Sequence, residues 1–246
     1  MRVIAIPSFS DNIIWGLCND RAAALVDPGD AAPARTWLED NGLVLEGILI
    51  THHHADHVGG VDSLCRYFGV RDVYGPAACR PHGVTQPVME GSIVSLPLLG
   101  LHLRVMEVPG HTLDHIAFYA EPAGGAGMLF CGDTLFAAGC GRLLGGEAKQ
   151  LWESLQTLAR LPATTRIFCA HEYTVANLHF AASEFPNDAP IRERLQKCQA
   201  QRLGGAFTLP STLSEELLTN PFFRAGNLTD FAAMRARKDV FRAPSG

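Results

Sequence analysis

Short apolar runs separated by polar and glycine-containing turns dominate the chain from residue 3 to about residue 173. Runs of about four to eight apolar or β-branched residues, bounded by turn residues, are typical of buried strands. This pattern predicts strands at residues 3–7, 13–18, 23–26, 43–50, 70–74, 101–108, 116–119, 128–131 and 166–169. Apolar positions at helical spacing predict helices between them, at residues 34–41, 61–68 and 147–161.

A different pattern begins at residue 174, where the spacing of apolar positions becomes helical. Helices are predicted at 176–184, 191–203 and 213–218, separated by proline and glycine. We therefore expect an α/β (α+β) chain in two domains. The first would span residues 1–173, and the second, residues 174–246, would be a small helical domain.

The segment from residue 51 to residue 57 carries the pattern H-x-H-x-D-H, formed by His52, His54, Asp56 and His57. Imidazole nitrogen and carboxylate oxygen are the ligands that zinc and similar divalent metals prefer. The segment holds more donors than one tetrahedral ion takes from a single loop, which indicates a site for two metals. It follows the predicted strand at 43–50, and α/β folds place their sites at the carboxyl ends of strands. An expression tag would be terminal and would not hold an aspartate at a fixed offset.

Three further candidate ligands each follow a short apolar run that is predicted to be a strand: His111, Asp133 and His171. A single histidine after a strand is more often a structural residue than a ligand. Four strand ends that each deliver histidine or aspartate to one rim indicate a metal site.

These motifs resemble the metallo-β-lactamase superfamily and, within it, the glyoxalase II (hydroxyacylglutathione hydrolase) family. The segments that indicate the family are Cys140-Gly141-Arg142, His171-Glu172-Tyr173-Thr174 and the basic residues of 235–239, with further resemblance at 26–29 and 209–216. The resemblance implies that residues 1–173 form a catalytic four-layer αβ/βα sandwich. It also implies that residues 174–246 form a small C-terminal helical domain that binds glutathione.

The resemblance also implies how the donors are shared between two divalent metal ions. The implied ligands are His52, His54 and His111 for one ion, Asp56, His57 and His171 for the other, and Asp133 for both. Asp56 and Asp133 would act in catalysis together with a hydroxide that bridges the metals. Two metals about 3.5–4 Å apart can share such a hydroxide, which exists near pH 7 because metal binding lowers the pKa of water. We expect zinc, with iron and manganese as alternatives.

The residues implied to bind glutathione are Arg142, Tyr173, Arg235 and Lys238. Glutathione has two carboxylates, which basic and tyrosyl side chains recognise. Without the resemblance, basic residues three apart such as Arg235 and Lys238 would indicate a solvated helix face. Leu144 stands where the family has an aromatic residue, so one hydroxyl contact is absent.

The implied reaction is hydrolysis of S-D-lactoylglutathione to D-lactate and glutathione, the second step of methylglyoxal detoxification. One alternative is a glutathione persulfide dioxygenase, which uses a single iron. Another is a lactonase or a β-lactamase-like hydrolase on the same metals. The second-site histidine His57 argues against the dioxygenase, and the basic pair Arg235 and Lys238 argues against both alternatives.

Composition narrows the class of protein further. The chain is 47% hydrophobic and 18% charged, enough to bury a core, and its net charge of -5 argues against nucleic acid as a partner. The seven cysteines are odd in number and scattered, which indicates a reducing cytosol rather than a disulfide framework. No apolar run approaches the roughly 20 residues of a membrane helix. We expect a cytoplasmic monomer without a membrane partner, acting on a small-molecule glutathione thioester.

Overall fold

The computed structural model describes residues 1–121 and 126–243, and this part of the chain forms two structural units. Unit 1 consists of Met1–Glu107 with Asp114–Gly132, and unit 2 of Val108–Leu113 with Asp133–Gly246. Both contain strands and helices, which confirms the α+β class. The predicted domain boundary between residues 173 and 174 stays a prediction.

A six-stranded mixed sheet carries the first half of unit 1. Its strands, in spatial and chain order, are β1 (Arg2–Ser8), β2 (Asn12–Cys18), β3 (Ala22–Val26), β4 (Val44–Leu49), β5 (Val73–Gly75) and β6 (Gln86–Pro87). β1, β2 and β3 pair antiparallel, whereas β3, β4, β5 and β6 pair parallel. Because β3 and β4 are parallel neighbours, the loops that leave their carboxyl ends start side by side.

The other strands of unit 1 form an antiparallel meander. They are β7 (Ile93–Leu96), β8 (Leu101–Glu107), β9 (Ile116–Ala120) and β10 (Met128–Gly132). β9 and β10 are buried along their whole length. Such continuous apolar runs fit strands that are covered on both faces.

The α-helices in the described part of unit 1 are α1 (Ala31–Asp40), α2 (Ala55–Val58) and α3 (Val61–Phe68). Leu38 of α1 and Leu64 of α3 pack with Leu25 and Ile48 of the sheet in one buried cluster. The amphipathic faces of α1 and α3 therefore cover the sheet that carries β3 and β4.

Unit 2 contains short strands and the remaining helices. Its elements are β11 (Leu135–Phe136), β12 (Gly139–Cys140), α4 (Ala148–Leu158), β13 (Arg166–Cys169), α5 (Thr174–Glu184), α6 (Ala189–Leu203), β14 (Ser211–Thr212), α7 (Leu213–Thr219) and α8 (Leu228–Val240). β11 and β12 form a hairpin, and β13 pairs antiparallel with β14. Leu178 of α5 and Ile191 of α6 share a buried cluster with Ala138. The helices are thus packed on the turn of the hairpin.

Most predicted elements are confirmed within two or three residues, and the exceptions have physical reasons. α1 begins at Ala31, before Pro33, because Asp30 caps it and a proline in the first turn loses no helical hydrogen bond. The strand predicted at 70–74 is only Val73–Gly75, since β4 offers a partner at Ile48 and Leu49 alone. α4 stops at Leu158, ahead of a proline.

Two further expectations concern thiols and membranes. Within the described residues, none of the seven cysteines forms a disulfide. None of the helices within residues 1–121 and 126–243 combines the length and the apolar character that a membrane crossing requires.

Candidate metal site

Two histidines of unit 1 converge just beyond the end of β4. His52 is fully buried, and its Nε2 lies 3.0 Å from Nδ1 of His54. The Thr51 hydroxyl contacts Nδ1 of His52 at 3.1 Å. The loop thus brings Nε2 of His52 and Nδ1 of His54 together, while the Thr51 hydroxyl holds the other side of the His52 ring.

The short helix α2 adds Asp56 and His57 to the same region of unit 1. Asp56 Oδ2 lies 3.4 Å from His57 Nε2 and accepts a hydrogen bond of 2.9 Å from the Asn12 amide. The His57 ring, helped by Asn12, holds the pKa of Asp56 well below its ordinary value despite partial burial. Asp56 is therefore an ionised donor at neutral pH.

Asp27, at the end of β3, is a site residue to which the sequence analysis assigned no role. Its buried carboxylate accepts from the Thr51 backbone N–H at 2.8 Å and from the Thr51 hydroxyl at 2.7 Å. Its Oδ2 also lies 3.1 Å from Nδ1 of His57. The parallel pairing of β3 and β4 explains this contact. Asp27 fixes the orientation of the His57 ring.

The loop after β3 packs directly against α2. A Cβ on Gly29 would lie 1.8 Å from the backbone oxygen of Asp56. Only glycine fits such a contact, so this residue sets the close approach that brings Asp27 and His57 together.

Unit 2 carries the other three predicted ligands, and here Asp133 stands between two histidines. Its Oδ2 lies 3.5 Å from Nε2 of His111, and its Oδ1 lies 3.4 Å from Nε2 of His171. All three side chains are buried. Each oxygen of one carboxylate faces a different imidazole, as a carboxylate that binds two cations would require.

The hydrogen bonds behind the rings show that these donors fit a metal. Nδ1 of His111 lies 2.8 Å from the Arg142 carbonyl, and Nδ1 of His57 faces the Asp27 carboxylate. Since both oxygens only accept, Nδ1 of each ring carries a hydrogen, and the neutral form of the ring would offer the lone pair of Nε2 to a metal ion. In each case Nε2 faces a carboxylate oxygen at 3.4–3.5 Å. Each of these pairs can share a proton or a metal cation, and partners of this kind behind the ring are typical of metal-binding histidines.

Tyr173 lies beside the last candidate ligand in unit 2. Its ring stacks on that of His171 with centroids 4.8 Å apart and an angle of 6°. The edge of Phe136 packs on it at 5.3 Å, and 36% of the residue is exposed. Its position leaves part of the ring accessible next to His171.

The basic residues of unit 2 form a cluster around Asp239. Arg235 donates to Asp239 Oδ1 at 3.0 Å, and Nε of Arg142 lies 3.9 Å from the same oxygen. Arg142 is exposed, whereas Arg235 is buried, with Nη1 2.8 Å from the Cys140 carbonyl. Burial, and next the nearby Arg235, lower the pKa of Lys238 to about 8. Arg235 is thus not a solvated residue, and its predicted role in binding glutathione stays a prediction.

His53 and His115, which flank the predicted ligands, have other partners in unit 1. Nδ1 of His53 lies 3.0 Å from Asp114, and the ring of His115 stacks on His52 at 4.6 Å. Both therefore support the ligand loop rather than extend the predicted donor set.

The structure accordingly groups the predicted residues within each unit. Unit 1 holds His52, His54, Asp56 and His57, and unit 2 holds His111, Asp133, His171, Tyr173, Arg142, Arg235 and Lys238. The residues that the sequence analysis missed are Asp27, Asn12 and Asp239. For Asp27 a signal was present, because it follows a strand end as the other ligands do.

Two family models together match almost the whole chain. A model described as "Metallo-beta-lactamase superfamily" matches residues 13–171. A second, described as "Hydroxyacylglutathione hydrolase C-terminus", matches residues 172–243.

Relatives and solved structures agree with these matches. The hydroxyacylglutathione hydrolase of Hahella chejuensis is 45% identical over 259 residues, covering 98% of this chain and 99% of that protein. The crystal structure of ETHE1 from Myxococcus xanthus has a TM-score of 0.72 at 22% identity and covers 99% of this chain and 93% of its own. A protein designated TTHA1623, solved in a di-iron-bound form, has a TM-score of 0.60 at 25% identity, with 90% and 100% covered.

Proposed function

We propose, since the chain belongs to the hydroxyacylglutathione hydrolases of the metallo-beta-lactamase superfamily, that it hydrolyses S-D-lactoylglutathione to D-lactate and glutathione. The observation that carries the proposal is the set of side chains that unit 2 brings together. There Asp133 faces two histidines, and the same unit holds a basic cluster suited to an anionic leaving group. The match of the hydroxyacylglutathione hydrolase C-terminus over 172–243 covers two of its basic residues, Arg235 and Lys238.

The family pattern implies a set of ligands for two divalent ions, and we propose the same set for this chain. The assignment is His52, His54 and His111 for one ion, Asp56, His57 and His171 for the other, and Asp133 for both. Ions held there would supply Lewis acidity, which lowers the pKa of water and polarises a carbonyl oxygen. Asp56 and Asp133, as anionic donors, offset the charge of the cations.

The remaining residues would recognise and orient the thioester. Arg142 is exposed and Lys238 is half-buried, so both can meet a carboxylate of glutathione. Tyr173 offers a ring and a hydroxyl next to His171. A glutathione thiolate leaves without a strong general acid, so the proposed reaction does not need one.

The decisive experiment measures thiol release from S-D-lactoylglutathione by the purified protein, before and after metal removal and after metal is added back. We expect release that stops with chelation and returns with Zn²⁺, Fe²⁺ or Mn²⁺. A folded, metal-loaded protein that releases no thiol would exclude the thioesterase. Oxygen uptake with glutathione persulfide and opening of a lactone panel would then test the alternatives.

The charge of Lys238 is expected to control binding of the leaving group. The pKa of about 8 means that Lys238 loses its proton as the pH rises through about 8. The groups that face it are Arg235 and Arg142, which lower its pKa, and Cys140 and Asp239, which raise it. A charge-assisted hydrogen bond contributes about 1.5–3 kcal/mol, so KM should rise about tenfold between pH 7 and pH 9.5.

The control for this prediction is Lys238→Arg, which keeps its charge throughout. We expect its KM to lack the rise near pH 8, while Lys149→Arg on α4 behaves as the unchanged protein. The same pH profile in Lys238→Arg and in the unchanged protein would assign the titration to the substrate amine instead.

Finer properties are proposed on chemical grounds. Imidazole and carboxylate donors suit zinc, and cysteines that form no disulfide among the described residues fit a reducing cytoplasm. The two family models meet between residues 171 and 172, which supports a boundary near 173 between catalytic and glutathione-binding domains. A monomer is proposed as well. Metal analysis of protein purified without added metal, and light scattering, would check the metal and the monomer.

A further inference from the structure

The segment 136–142 of unit 2 runs from the end of β11 through β12 to Arg142. It contacts two candidate ligands, Asp133 and His111. Gly141 packs so closely on Asp133 that a Cβ would lie 2.1 Å from the Asp133 backbone oxygen. The carbonyl of Arg142 accepts from Nδ1 of His111 at 2.8 Å. A displacement of this segment would therefore move Asp133 and release the His111 ring.

The conformation of the segment is strained at its tip. Ala138 has φ of +54°, in the left-handed region that residues other than glycine rarely adopt. Such a conformation persists only where the surroundings impose it.

Buried side chains from the C-terminal helices impose it by binding the main chain of the segment. Asn220 donates to the carbonyls of Phe136 at 3.2 Å and Gly139 at 2.9 Å. Asn177 of α5 donates to the Ala137 carbonyl at 3.0 Å. Glu216 of α7 accepts from the Ala138 N–H at 2.7 Å. These side chains are at most 4% exposed, so water does not replace them.

Glu216 is itself held by charged and polar partners in this interior. Arg194 of α6, itself buried, donates to Glu216 Oε1 at 2.6 Å and to the Thr219 hydroxyl at 2.6 Å. Asn220 donates to the other oxygen at 3.1 Å. A buried carboxylate that is paired and fully hydrogen-bonded is a rigid acceptor.

We propose that Asn177, Glu216 and Asn220 are positioning residues of the hydrolase, which hold segment 136–142 so that Asp133 and His111 keep the geometry of ligands. The proposal rests on the proposed function. It gives the C-terminal helices a second role besides substrate contact. It also offers a reason for the resemblance to the family at 209–216, since none of the proposed substrate-binding residues lies in that segment.

The test compares Asn177→Ala and Asn220→Ala with Asp188→Ala in the full chain. Asp188 caps α6 through the Ile191 N–H and pairs with Arg224, so its loss lowers thermal stability while the side-chain hydrogen bonds to residues 136–142 stay in place. Hydrogen exchange of the peptide 134–142 and competition with a zinc chelator are measured well below each unfolding midpoint. We expect faster exchange and about tenfold weaker zinc binding in the two asparagine variants only.

The outcomes separate this proposal from the thioesterase. Exchange and chelator competition need no thioester, so an inactive protein whose variants still loosen the segment would refute the reaction and keep the positioning role. Equal exchange at 134–142 in all three variants would overturn the positioning role. So would zinc binding that weakens only in proportion to the loss of stability.

Discussion

Replacing Asp133 by alanine is expected to abolish metal retention and thioester hydrolysis together. The carboxylate faces His111 with one oxygen and His171 with the other, at 3.5 and 3.4 Å. Its removal leaves neutral imidazoles and takes away the negative charge that can link two cations. Loss of one preorganised electrostatic group already costs about 10²–10³ in rate, so we expect kcat/KM to fall at least about 10³-fold. Metal analysis after dialysis and thiol release would measure both effects.

Asp133→Asn removes the negative charge of this side chain and keeps its shape, so it tests the two contributions separately. The amide keeps one acceptor oxygen, so the variant should hold less than the full complement of metal and keep little activity. Asp62→Asn, which removes an exposed carboxylate of α3, serves as the control and should behave as the unchanged protein. Full metal content with near-normal turnover in Asp133→Ala would exclude Asp133 as the shared ligand.

The candidate ligands could be predicted because each follows a strand that its own sequence specifies. The apolar run before Thr51 is β4, and the runs before Asp133 and His171 are β10 and β13. A strand pattern of this kind is local, since burial of both faces requires continuous apolar residues. Histidine or aspartate directly after such a run is visible without knowledge of the partner strands.

The features that the sequence did not show depend on contacts between residues that are distant in the chain. Asp27 contacts His57 only because β3 and β4 are parallel neighbours, a fact that neither strand encodes alone. α8, which carries Arg235, was not predicted. The burial of Arg235 depends on its contact with the Cys140 carbonyl, which lies far away in the chain. Asp239 could not be recognised for the same reason, because its contacts with Arg142 and Arg235 form only in the folded chain.

Asp27→Asn is expected to weaken metal binding about 10- to 100-fold while leaving the fold intact, since a partner behind a metal-binding histidine typically contributes this much. Asparagine has the same shape and tolerates the φ of +51° at this position. Its oxygen can still accept from the Thr51 N–H, which places the amide NH₂ against Nδ1 of His57. That nitrogen must then accept, so the hydrogen moves to Nε2, the atom that faces Asp56.

The control is Asp30→Asn, three residues along, where asparagine caps α1 as well as aspartate does. Both variants lose one carboxylate near the end of β3, but only Asp27→Asn changes which nitrogen of His57 carries the hydrogen. Nitrogen chemical shifts of the metal-free protein would report the tautomer, and chelator competition would report the affinity. If Asp27→Asn bound zinc as tightly as Asp30→Asn, the orientation of His57 by Asp27 would not matter to the metal. A changed tautomer with unchanged affinity would instead remove His57 from the ligand set, because a protonated Nε2 has no lone pair to offer a cation.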